Sequence, residues 1–193
     1  MVQDDSNLLD PLNAFYAEAG LPLPVAGRLD GKTVPEPYKS LLVHQNDMTP
    51  TLESFYNQKI HLRVLKAHFD GEVYSRQVVL VLDADEKPVA FGAIRIHLEH
   101  LPLKARELIL EEKRPLGAIL YNQGVDHASR PNAFFQVGSD AFINSVLGLK
   151  SSNLLYGRRN ILSNSSQRIL AEIIEILPPS QSLSSMEKSQ DQR

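Results

Sequence analysis

Three stretches of the chain, KIHLRVLKAHF (59–69), EVYSRQVVLVL (72–82) and KPVAFGAIRIHL (87–98), alternate apolar and polar side chains and are rich in β-branched residues. The turn-forming segments DGE and DADEKP separate them, which predicts an antiparallel meander. Elsewhere the period lengthens. DPLNAFYAEAG (10–20) predicts a helix, with Asp10 as its cap, Pro11 in the first turn and Gly20 after the last. NDMTPTLESFYNQ (46–58) repeats that logic, with Asp47 or Thr49 as cap and Pro50 in the first turn. PLKARELILEEK (102–113) is helical in pattern, and NAFFQVG (132–138) is strand-like. SDAFINSVLG (139–148) predicts a short helix capped by Ser139 or Asp140 and stopped at Gly148. Between the first two helices, LPLPVAGRLDGKTVPEPYKS shows no period and is expected to be an ordered arm or linker.

The closing apolar run RILAEIIEIL (168–177) has two solutions. As a helix, which local spacing slightly favours, it places Arg168, Glu172 and Glu175 on one wet stripe. As a strand it puts Glu175 on a face with Ile169, Ala171, Ile173 and Leu177, a single carboxylate on an apolar surface. Arg76 is the opposite case: on its strand it shares a face with Tyr74, Val78, Leu80 and Leu82. A guanidinium there must meet a carboxylate, either from the protein, as in a structural Arg76–Glu175 pair, or from a ligand.

Length and composition suit one domain: 193 residues, 42% hydrophobic and 22% charged. A formal net charge of -3 leaves no basic footprint for nucleic acid. The absence of cysteine excludes disulfides, thiolate metal sites and thiol nucleophiles. No run reaches the roughly 18 apolar residues of a membrane span, and MVQDDSNLLDPL lacks a leader pattern, so a cytoplasmic protein is expected. The tail SQSLSSMEKSQDQR has too little apolar content to pack and is expected to be disordered. The organisation expected is an N-terminal helix and arm over 1–36, one domain over 37–179 and a tail over 180–193.

Other clusters have plainer explanations. In HLEH, His97 and Glu99 share a strand face while His100 points away, with no third metal ligand in the spacing, so no metal is expected. DADEKP lacks the further ligands of a calcium loop. VGSDAF lacks the second glycine of a nucleophile elbow. Arg158 and Arg159 of GRR are either a solvated doublet or an anion clamp at a pocket mouth. No phosphate loop or dinucleotide fingerprint occurs.

Several segments together resemble the chorismate pyruvate-lyase family. KRPLGAILY (113–121), LLYGRRNIL (154–162) and the closing EIIEILPP stand in that family's order, and NDMT and YSRQVVLVLDADEKPVAFG fit its earlier segments. The resemblance covers residues 40–179. It implies an α+β fold, an antiparallel sheet of about six strands with helices packed around it. The ligand would lie in an internal pocket closed by helical flaps. Members convert chorismate to 4-hydroxybenzoate and pyruvate without cofactor or metal, so a cofactor-free lyase feeding quinone synthesis is implied.

Carried over by residue, the resemblance makes Arg76 the carboxylate grip and Glu175 the acidic group facing the ring oxygen, both catalytic. Backbone contacts would come from Met48 and from Leu116 and Gly117 of PLG, with Arg158 as a further substrate contact. The resemblance favours the strand at 168–177, while Glu172 stays a rival to Glu175 because the SNSSQ turn is longer here. Where the family has an arginine in the third meander strand this chain has Ala93, with Arg95 two residues on. The insertion SDAFINSVLGLKSSNLL is expected to remodel the flap or the mouth. The long arm is similar to that of the cyanobacterial and plastid subgroup. The same fold serves as a small-molecule sensor in bacterial transcription regulators, so a non-catalytic aromatic acid-binding module is the alternative. Such a module would act through a protein partner, because no helix-turn-helix pattern precedes the domain.

Overall fold

A computed structural model of the chain describes residues 8–180, so the tail expected over 180–193 lies outside the described residues apart from Ser180. The fold is α+β, as the resemblance implies. The meander forms as the alternation predicts, with β2 at Ile60–Phe69, β3 at Val73–Leu82 and β4 at Pro88–His97. β5 covers Ala128–Gly138, β6 Leu154–Ser163 and β7 Ile169–Leu177. The run 168–177 is therefore a strand, with β4 on one side and β6 on the other.

Among the described residues the sheet of about six strands that the resemblance implies has seven, all antiparallel, in the order β1 (Ala26–Leu29), β5, β6, β7, β4, β3, β2. The extra strand β1, Ala26–Leu29, comes from the arm, where periodicity gave no signal. Four residues are too few to show alternation; pairing with Phe134 to Val137 of β5 makes the strand.

Helices cover both faces. α1 (Leu12–Glu18) and α6 (Ala141–Leu147) lie on one, where Leu12, Phe15 and Ile143 pack onto Val79, Phe91, Phe135 and Ile174. The insertion at 139–155 thus supplies a cover for this face and does not remodel the cavity mouth, which lies on the other. Asp140 is the cap of α6, its carboxylate accepting from the Ile143 amide at 2.7 Å, and Gly148 takes the left-handed stop at φ 67°.

The other face carries two separate apolar clusters. One gathers α2 (Tyr38–Leu42) and α3 (Met48–Tyr56) through Leu42, Met48 and Leu52. The second gathers α4 (Leu103–Leu110) and α5 (Leu116–Asn122) through Ile109, Leu116 and Leu120.

Asp10 does not cap α1, whose start has no side-chain cap. Its carboxylate instead takes both Arg95 nitrogens at 2.8 Å, a bidentate contact. Glu172 accepts from Arg95 at 3.1 Å and from Arg159 at 3.3 Å. These side chains moor the N-terminal helix to the sheet.

Gly92 sits at the centre, opposite both Val78 and Glu175. A Cβ at this position would stand 1.8 Å from the Ile174 carbonyl oxygen, so the strand approach there requires glycine. Gly92→Ala is expected to cost about 1–3 kcal/mol of stability, as inserted atoms in tight packing do. A thermal melt of the variant checks it, and an unchanged melting temperature would refute the close approach.

Candidate functional site

Between the two clusters, where neither pair of helices closes fully on the sheet, lies a cavity of about 80 Å³. That is room for roughly two or three waters at about 30 Å³ each. Its floor is β3, β4 and β7; the starts of α3 and α5 overhang it through Asp47, Met48 and Thr49 and through Pro115, Leu116 and Gly117. Leu62, Val78, Leu80, Ile94 and Ile173 make the walls apolar.

Alternation explains why two charged side chains of the sheet look into this space. Arg76, Val78 and Leu80 follow one another on one face of β3, and Ile173 and Glu175 do so on β7. Both Arg76 and Glu175 line the cavity. They do not pair with each other.

Arg76 is 1% exposed. Its one hydrogen bond to the backbone runs from Nη2 to the Arg114 carbonyl at 3.2 Å, and Nε and Nη1 have no partner. The guanidinium carbon stands 6.0 Å from the Tyr74 ring centre, and the Tyr74 hydroxyl donates to Glu112 at 2.6 Å. Burial pushes the Arg76 pKa below its usual value, against weaker raising effects of Tyr74 and Glu112. Among the described residues no carboxylate forms a salt bridge with it.

Glu175 is held by Arg158, whose Nε donates to Oε2 at 2.5 Å. The two face each other on adjacent strands. Arg158 is wholly buried, so it is not part of a solvated doublet, and it is absent from the cavity wall. Its remaining donors reach the carbonyls of Leu42 at 3.3 Å, His44 at 3.2 Å and Asn46 at 3.2 Å. It therefore ties Glu175 to the loop between α2 and α3. Burial, then the neighbouring Arg158 charge, lowers the His44 pKa. Arg159 lies on the opposite face with Asp10 and Glu172.

Met48 and Leu116 are buried at the starts of α3 and α5, neither of which has a side-chain cap, leaving first-turn amides available at the cavity wall. Gly117 allows Asp47 to pack on α5, since a Cβ there would lie 2.8 Å from its Oδ2. Glu172, the rival to Glu175, faces the other side of the sheet. Asn160 also lines the cavity, hydrogen-bonded to Ser129 at 2.9 Å. It went unmarked in the sequence analysis although strand alternation places it two residues from Arg158. His97 and His100 stack at 5.8 Å, and among the described residues no group of three side chains suits a metal ion. No helix among them is long and apolar enough to cross a membrane.

Removing Glu175 would strand a fully buried guanidinium. Glu175→Ala is expected to destabilise the protein by about 3 kcal/mol or more. Chemical denaturation checks this, and a loss below 1 kcal/mol would show that Arg158 finds another counter-charge.

No protein-family model matches the chain, and no curated protein does. Solved structures match it in shape, at identities that speak for the fold alone. The effector domain of PhnF from Mycobacterium smegmatis has a TM-score of 0.53 and 11% identity over 70% of this chain and 90% of that one. The gene product SA0254 from Staphylococcus aureus N315 has a TM-score of 0.53 and 9% identity, covering 71% and 90%. YydK from Bacillus subtilis, described as a possible transcriptional regulator, has a TM-score of 0.51 and 9% identity, covering 65% and 61%. This chain thus spans less than two thirds of YydK. These matches correct the expectation of an enzyme: the neighbours whose descriptions state a role are a regulator and an effector domain, not lyases.

Proposed function

We propose that this chain is a small-molecule-binding domain whose ligand is a compact organic monoanion, with its carboxylate on Arg76. The observation that carries the reading is a buried guanidinium with two unpartnered donors on the wall of an apolar cavity. Burying such a group without a counter-charge is costly, and a carboxylate offers two acceptors in matching geometry. The uncapped amides at Met48 and Leu116 would extend the grip. The sign and number of charges select among acids. Glu175 is already matched by Arg158 and Asp47 by His127, so Arg76 alone is left to be neutralised. One negative charge does that, and a second would enter an apolar space without a partner. A ring fits the apolar walls, and Glu175 with Asn160 offers polar contacts to a hydroxyl at the far end.

4-Hydroxybenzoate, the acid the family resemblance points to, meets each of these demands, whereas chorismate carries one charge too many. The role is recognition without turnover, as in a sensor module acting through a protein partner. The effector domain of PhnF, with the same fold, supports this reading.

Calorimetry and thermal melts with 4-hydroxybenzoate, its neutral amide and chorismate test the proposal. The monoanion is expected to bind best and to raise the melting temperature. Arg76→Met is expected to weaken it about ten- to a hundred-fold, the loss of a hydrogen bond to a charged group. The same variant, free of ligand, is expected to be as stable as the parent or more so, because a buried unpaired charge has been removed. Equal binding of the amide, or undiminished binding by the variant, would rule out the Arg76 grip.

A further inference from the structure

The two helical covers of the cavity belong to different apolar clusters, and a polar contact joins them. Asp47 stands at the start of α3, and its Oδ2 lies 3.1 Å from Nε2 of His127, in the loop that follows α5. The same oxygen packs on Gly117 in the first turn of α5. The other ring nitrogen of His127, Nδ1, lies 2.9 Å from the Val125 carbonyl oxygen. Both oxygens are acceptors: a carbonyl cannot donate, and an ionised carboxylate cannot either. A neutral imidazole has one N–H and can serve only one of them, so both contacts together require the imidazolium.

We propose that Asp47 and His127 form a proton-operated latch across the seam between the two covers, closed while the imidazole carries both protons and released when it loses one. The charged groups acting on the ring are Asp47, from α3, and Asp126 beside it, itself bound to the Ser165 amide at 2.8 Å. Both favour the charged ring, and the hydrogen bond from Asp47 is the larger effect, raising the His127 pKa above its ordinary 6.5 against partial burial. The sign follows. A histidine whose folded pKa is raised contributes stability that is complete below the unfolded value and is lost as pH climbs through the folded one. The covers are therefore tied together in mildly acidic solution and loosened in alkaline solution. Since Asp47, Leu116 and Gly117 all line the cavity, the latch would govern how readily it opens to whatever it binds.

The test uses the full chain without ligand, so it is independent of the ligand proposed above. Nuclear magnetic resonance follows the His127 ring and the amides of Leu52 in α3 and Leu120 in α5, both wholly buried. The ring is expected to titrate above 6.5 in the parent and to fall back in Asp47→Asn. Across that titration, amide exchange of Leu52 and Leu120, corrected for base catalysis, is expected to speed up about two- to five-fold, the range of a modest ion pair. His127→Gln, which keeps a donor but cannot titrate, is expected to abolish the step. A ring that titrates at or below 6.5, or a step that persists in His127→Gln, would overturn the latch.

Discussion

A buried guanidinium needs acceptors for five N–H groups and a counter-charge for its cation, and one face of this sheet holds two of them. Arg158 has both: the Glu175 carboxylate, and carbonyls from the loop that leads into α3. Arg76 has a single backbone carbonyl, and its Nε and Nη1, three N–H groups between them, are left over. Much of what the structure offers follows from this difference. The satisfied arginine serves as an internal strut that fixes a carboxylate and a loop, while the unsatisfied one holds a standing demand for an anion.

The two faces of the sheet are finished in different ways. On the α1–α6 face, one apolar cluster gathers both helices, and the Asp10–Arg95–Glu172–Arg159 network moors the N-terminal helix at its margin. On the other face the apolar cover comes in two pieces, and the gap between them is the cavity. A seam between two clusters can open, and low local stability is where binding sites are drawn from. The helix starts that overhang the gap bring uncapped amides to it on the face that carries Arg76.

Burial leaves Arg76 with a backbone carbonyl but no counter-charge. The counter-ion of Glu175 is supplied internally, which leaves that carboxylate as a fixed acceptor. A fold shared with regulator and effector domains at 9–11% identity shows how little sequence such a frame requires. On a frame of this kind, what is bound is decided by the side chains of the site and not by the fold.

Much of the frame was legible along the chain. Alternation with β-branched residues marked β2, β3 and β4, proline and glycine punctuation marked α1, α3 and α6, and the single charges on apolar faces marked Arg76 and Glu175 before any fold was known. Those signals are local, with a period of two or a cap within a turn, so the sequence by itself determined them. Tertiary structure alone decided the rest. β1 exists because β5 offers it an edge; Asp10 left its cap for Arg95; the run 168–177 became a strand because β4 and β6 flank it. Arg158, eighty-two positions from Arg76 in the chain, took the Glu175 carboxylate. Pairing of charges depends on which strands lie side by side, and no spacing along one strand carries that information.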